Sequence, residues 1–292
     1  MEAHVSLAGD PAVESGTLMN RILRLLTCLF LALLLVMSSG CKKLQARDQL
    51  NKGVQSYKNA RYEEAIEHFK NAVGLDPGLL NARIYLATAY AQQYVPGAET
   101  AENRRFAEQA IGEYKNVLRD DPKNVNAIKG IGYLYLQQKQ FDEAKEYYNR
   151  AVKIDPNDPE AYYSSAYIDF WTAHNFGQNE RNKLGMKATD QLRDKRACEV
   201  IKAHNAPLVE EGIGLLNKAL ELRHDYDDAM AYLNLLYRER ADYQCERPEL
   251  RAADIKTADD WQAKTLATKR EKVSKQGPGG IVLDQPEAAG SK

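Results

Sequence analysis

The chain of 292 residues carries 40 Lys and Arg against 41 Asp and Glu, a formal net charge of −1. That balance leaves no whole-chain basic field for a nucleic-acid backbone, and 44% apolar with 28% charged residues is not the composition of a disordered polyelectrolyte. Four Cys and five His are too few for a disulfide-dense scaffold or a multi-zinc protein, while 17 Tyr beside only 10 Pro leans towards helices.

In chain order, the first specific element is apolar. Arg21 and Arg24 precede an uncharged run from Leu25 to Gly40, a basic region and then a hydrophobic one ending in small residues, as in an export signal. The run of 16 residues is short of the roughly 20 that cross a bilayer as a helix. Ser38-Ser39-Gly40-Cys41 resembles the lipobox of bacterial lipoprotein signal peptides, with Ser38 standing where that family usually has Leu. The resemblance implies cleavage before Cys41 and acylation of its thiol and its new N-terminus. Without an Asp after Cys41, it also implies a periplasmic protein held at the outer rather than the inner membrane. An uncleaved signal anchor is the alternative. Residues 1–18 contain no Lys or Arg, so either Met19 is the true start or the extension is tolerated. The expected segments are a signal peptide over 1–40 and a lipid-anchored linker over 41–45.

Beyond residue 45 the chain repeats itself. One small-residue column reads Ala65, Ala110, Ala144 and Gly212, at spacings of 45, 34 and 68. Phe69, Tyr114, Tyr148 and Leu216 keep the same spacings, as do Ala72, Val117, Ala151 and Ala219, and Pro77, Pro122, Pro156 and His224. A fifth column, Gly53, Ala87, Gly132, Ala166 and Asn234, runs 34, 45, 34 and 68. The stretch 126–156, with Ile128, Ile131, Gly132, Tyr135, Ala144, Tyr148, Ala151 and Pro156, resembles the 34-residue tetratricopeptide repeat (TPR). Small residues sit where two antiparallel helices must approach closely, tyrosines fill the space between them, and proline ends the second helix.

The resemblance implies an all-α TPR superhelix, an α-solenoid of antiparallel helix pairs, with about five repeats at 46–79, 80–124, 125–158, 159–226 and 227–275. The first helices would line its concave face. The offset between the columns puts the extra residues inside repeats two and four, between their two helices. Repeat two gains 11 residues around Tyr94–Gly97, and repeat four gains 34 between Trp171 and Pro207. Those 34 form either a degenerate extra repeat, with Arg196 and Glu199 in buried columns, or an insertion with its own short helix near Leu192–Ala203. The second is preferred, because burying two charges is costly. In the fifth repeat, helices are expected over Ala229–Ala241 and Ala258–Lys275, the latter a polar cap. The tail 276–292, with Gly277-Pro278-Gly279-Gly280, is expected to be disordered.

No enzyme signature emerges, and no cofactor is implied. His68, His174, His204 and His224 have no His or Cys at metal-ligand spacing, so no catalytic or metal residue is assigned. Gly277–Gly280 lacks the Lys-Ser/Thr of a phosphate loop. Once Cys28 departs with the signal and Cys41 is acylated, Cys198 and Cys245 remain as a pair in an oxidising compartment. Both fall in connections from first to second helices, which the TPR resemblance places along one edge, so a disulfide is expected. For the inner groove, the resemblance points to Tyr57, Lys129, Tyr133, Tyr163, Tyr167, Phe170 and Trp171. Aromatic rings there offer large contact area with polar handles, although some of them could pack only against the next repeat. Leu50 and Val54 stand where a chaperone-binding carboxylate clamp would need Lys and Asn. The expectation is a protein or peptide partner in the groove and a scaffold or adaptor role in cell-envelope assembly. The alternative is a partner in polysaccharide synthesis or export, with the same rings stacking on glycan.

Overall fold

The computed structural model describes residues 41–187 and 192–276, and among these every regular element is a helix. The export-signal segment 1–40, apart from the adjoining Cys41, and the tail 277–292 lie outside the described residues. The chain divides into two compact units. The first comprises Met1–Val95 with Thr100–Glu113, and the second Pro96–Glu99 with Tyr114–Lys292.

In the first unit, helix α1 covers residues 41–58, α2 is Tyr62–Leu75, α3 is Leu80–Gln93, and α4, Ala101–Asp120, begins here. The α1–α2 pair closes because Gly53 has no side chain: a Cβ there would lie 2.5 Å from the Phe69 ring. Phe69 is fully buried between Ala65 and Ala72 and stacks on Tyr85 with ring centroids 5.5 Å apart. Ala60, in the short α1–α2 turn, takes the left-handed conformation with φ 57°.

The insertion in repeat two is divided between a loop and a longer helix. Residues 94–100 are non-helical, and α4 runs 20 residues where α2 runs 14. Buried Asn103 closes that loop, accepting from the Val95 backbone N–H at 2.7 Å and donating to the Val95 carbonyl at 2.8 Å.

The second unit holds the end of α4, then α5 (Val125–Gln137), α6 (Phe141–Ile154), α7 (Pro159–Lys183), α8 (Lys195–Leu222), α9 (Asp227–Asp242) and α10 (Pro248–Gln276). Side-chain caps fix three starts: the Asn124, Asp158 and Asp194 oxygens accept from the backbone N–H groups of Ala127, Glu160 and Ala197. Within each unit, the turns between pairs share one device. In Asp76-Pro77-Gly78, Asp121-Pro122-Lys123 and Asp155-Pro156-Asn157 the aspartate Oδ1 accepts from the N–H two residues on.

Two expected boundaries need correction. The separate short helix over Leu192–Ala203 does not form; residues 195–203 are the first part of the 28-residue α8, with Pro207 inside the helix. Pro207 removes one ladder bond, but packing around it sustains the helix: Asn205 is fully buried and donates to the Ala173 carbonyl at 2.9 Å. Arg196 and Glu199 both lie exposed on this helix. The last helix starts at Pro248, ten residues before the expected Ala258, because the polar stretch 248–257 is held by Asp254, which binds Arg240 and Gln244 of α9 and the turn after it.

Candidate functional site

The groove residues chosen from sequence fall in both units. Tyr57 belongs to the first, where its ring meets Tyr62 edge-on at 5.3 Å. The other six belong to the second, on α5 and α7, and they behave differently from one another.

Lys129 is half-buried and tied down by two carboxylates, Asp158 at 2.6 Å and Glu160 at 2.9 Å. Burial disfavours its charge, but the hydrogen bonds to both acids outweigh that and hold its pKa above the ordinary lysine value. Its first task is thus to pin α5 to the start of α7. Tyr133, one turn further along α5, is 48% exposed.

On α7, Tyr163, Tyr167 and Trp171 are one turn apart and half-buried. They form a continuous ring cluster with α9 and the residue before it. Tyr163 lies 5.1 Å from Tyr226 and 5.6 Å from Tyr232, Tyr167 lies 5.0 Å from Tyr232, and Trp171 lies 6.2 Å from Tyr167. Such contacts contribute about 0.5–1.5 kcal/mol each beyond area burial. Burial pushes the Tyr163 hydroxyl well above its ordinary pKa and the Tyr232 hydroxyl to about 12, so both stay neutral donors near pH 7. Phe170 is a core residue instead: it is 5% exposed, stacked at 5.3 Å on His174 and edge-on to Tyr232 at 5.4 Å.

Sequence reasoning missed Tyr232, the ring that joins this cluster together. A signal existed two residues before the Gly132 column, where the chain reads Gly130, Ser164 and then Tyr232. The full column reads Asn51, Tyr85, Gly130, Ser164 and Tyr232, so an aromatic ring recurs in it. At Gly130 itself a Cβ would come 2.4 Å from the Tyr114 ring, so ring and glycine exchange places along one unit.

Below the rings sits a charge network. Asp169 is fully buried; its Oδ1 accepts from Lys145, whose Nζ also reaches Glu211 at 2.9 Å, and its Oδ2 has no partner. Burial pushes the Asp169 carboxyl up to about 7, more than the Lys145 ammonium lowers it. On the next turn His174 pairs with Glu239 at 2.5 Å, and that hydrogen bond lifts the imidazole pKa despite partial burial.

Cys198, near the start of α8, and Cys245, in the turn after α9, are disulfide-bonded with their Cα atoms 5.9 Å apart. Cys41 is exposed at the head of α1. Among the described residues, no group of three or more His, Cys, Asp or Glu is placed to hold a metal ion. No described helix is long and apolar enough to cross a membrane. What the arrangement offers is contact area: half-exposed rings and neutral hydroxyls on a rigid helical support.

Residues 107–166 match the tetratricopeptide repeat family. The chain is 36% identical over 53 residues to Protein CTR9 homolog from Arabidopsis thaliana, covering 18% of this chain and 5% of that protein. It is 28% identical over 115 residues to the Hsp70-Hsp90 organizing protein of Triticum aestivum, covering 39% and 18% respectively. With the Photosystem I assembly protein Ycf3 of Prochlorococcus marinus it shares 24% identity over 135 residues, covering 41% of this chain and 73% of that one. It thus spans only a small part of the first two. Among solved structures, MamA from Desulfovibrio magneticus RS-1 superposes with a TM-score of 0.51 at 17% identity, covering 78% of this chain and 97% of that one. Five columns of residues in register, paired antiparallel helices and these similarities together make this an all-α tetratricopeptide-type fold, with the family sequence itself at residues 107–166.

Proposed function

We propose that this protein is a lipid-anchored adaptor of a bacterial cell envelope. In this reading it is exported behind its apolar N-terminal segment, held at the outer membrane through acylated Cys41, and docks a protein or peptide partner rather than catalysing a reaction. The observation that carries the docking half is the ring-lined face of the second unit: Tyr133 at 48% exposure, with half-buried Tyr163, Tyr167 and Trp171 on the neighbouring first helix. Large, rigid, amphipathic rings are what protein interfaces concentrate at their anchors. The names of similar proteins, an organizing protein and an assembly protein, describe work done on other proteins.

The anchoring half is supported by the lipobox-like Ser38–Cys41 and by the exposure of Cys41. The Cys198–Cys245 disulfide suits an oxidising compartment. Acyl chains on one residue contribute roughly 0.8 kcal/mol per buried CH₂, and two or more chains give stable attachment.

Two measurements test the halves separately. Mass spectrometry of the mature protein should find Cys41 at the N-terminus with a diacylglyceryl adduct; a mature chain that still contains Leu25–Gly40 ends the lipoprotein reading. A photo-crosslinker placed at Tyr133 should capture one protein in intact envelopes, and substitution of Tyr167 by Ala should weaken that capture. Glycan binding at the same rings without any captured protein would replace the adaptor reading with the polysaccharide one.

A further inference from the structure

At the end of the second unit away from the rings, a cleft of about 330 Å³ opens beside the disulfide. One wall is apolar, made by Leu192, the Cys198–Cys245 bond, Ala241, Pro248 and Ala252. The rest is charged, and the charges do not cancel. Asp242 and Glu246 line the cleft, yet each has its own cation: Asp242 accepts from Arg181 at 2.7 Å, and Glu246 pairs with Lys195 at 2.8 Å. Gln244 is committed to Asp254 at 2.9 Å. Arg247 and Arg251 also line the cleft, and among the described residues neither guanidinium has a carboxylate partner. Arg247 is the last residue before the 29-residue α10, and Arg251 lies in its first turn, its N–H donating to the Arg247 carbonyl at 3.1 Å. The positive end of the helix dipole adds to their field.

From this we infer that the cleft is a binding site for a small oxyanion, a phosphate or carboxylate group carried on a compact organic body. The planar guanidinium fork matches both groups with paired hydrogen bonds, and two such forks one turn apart can hold one group between them. The volume exceeds what a bare anion fills and lies at the lower bound of small-molecule sites. The apolar wall of Leu192, Pro248 and the disulfide would face the organic body. The rim acids Asp242 and Glu246 are already compensated by Arg181 and Lys195. This site is independent of the ring face and of the adaptor reading.

Calorimetric titration of the full chain, disulfide intact, tests it. Inorganic phosphate, acetate and phenyl phosphate would each be added at an ionic strength held constant with NaCl. Saturable one-site binding of phosphate or acetate is expected, with whichever binds identifying the oxyanion. Phenyl phosphate should bind several-fold more tightly than inorganic phosphate if the apolar wall takes part; equal affinity would remove the organic body from the proposal. The double variant Arg247→Gln, Arg251→Gln should lose at least tenfold in affinity while keeping its circular dichroism and unfolding midpoint, and Arg270→Gln, a distant exposed arginine of the same helix, should change nothing. Undiminished binding by the double variant, or no saturable binding of any of the three probes, would overturn the assignment.

Discussion

Asp169 is a carboxyl that burial carries far from its ordinary value. Unfolded, its carboxyl titrates near 4; folded, burial moves it up to about 7, with Lys145 and Glu211 as the charges that face it. The native state therefore holds this proton more tightly than the unfolded chain. The contribution to stability is full below about pH 4 and is lost as pH rises towards 7, on the order of 2 to 4 kcal/mol over that range. Asp169→Asn should remove this slope, because a buried amide carries no charge, and Lys145 keeps Glu211 as partner. Urea midpoints at intervals from pH 4.5 to 7.5 would check it; parallel curves for variant and parent would contradict the burial argument. A smaller effect sits at Lys139, exposed in the α5–α6 turn with φ 59°. Lys139→Gly relieves a left-handed backbone costing roughly 1 kcal/mol or more, set against glycine's greater chain entropy. A net gain of about 0.5 kcal/mol in chemical denaturation is expected.

At the scale of elements, the hairpin of α7 and α8 shows where sequence reasoning succeeded and where it stopped. The columns located its extra residues between Trp171 and Pro207, because small and large side chains must recur at fixed spacing for helix pairs to stack. What they take as structure was not legible. Glycine and proline both disfavour a helix interior, yet Gly177 and Pro207 lie within helices. The contact between the two helices overrides them: a Cβ on Gly177 would sit 3.6 Å from the Asn205 amide, whose nitrogen donates to Ala173. Likewise the fate of Phe170 was decided by Tyr232 on α9, in the following pair, a contact no single helix reveals. The Cys198–Cys245 bond spans 47 residues and closes the far end of this hairpin onto the α9–α10 turn. In the chain-entropy model its reduction should cost about 4 kcal/mol. Denaturation with and without reductant measures this, and a shift below about 1 kcal/mol would mean that helix packing alone fixes the turn.

At the scale of the whole molecule, the two compact units make unfolding the informative experiment. Both tryptophans, Trp171 and Trp261, lie in the second unit. Tryptophan fluorescence therefore reports on that unit alone, while far-ultraviolet circular dichroism sees helices in both. Arrays built from neighbour contacts lose cooperativity as they lengthen, so the two probes should give separate transitions. Superimposable curves would show one cooperative block instead.

The fourth pair has one further consequence. Its helices reach 25 and 28 residues, against 13 and 14 in the pair before it. Much of the surplus chain has thus gone into lengthening two facing rods. Each residue added to a rod turns its tip by about 100° and advances it by 1.5 Å. Trimming or growing both rods together by seven residues keeps the same faces in opposition, whereas a change of two or five swings the tips out of alignment. The hairpin behaves like a telescoping mast with its own click-stops, and its permitted heights come in steps of about two turns.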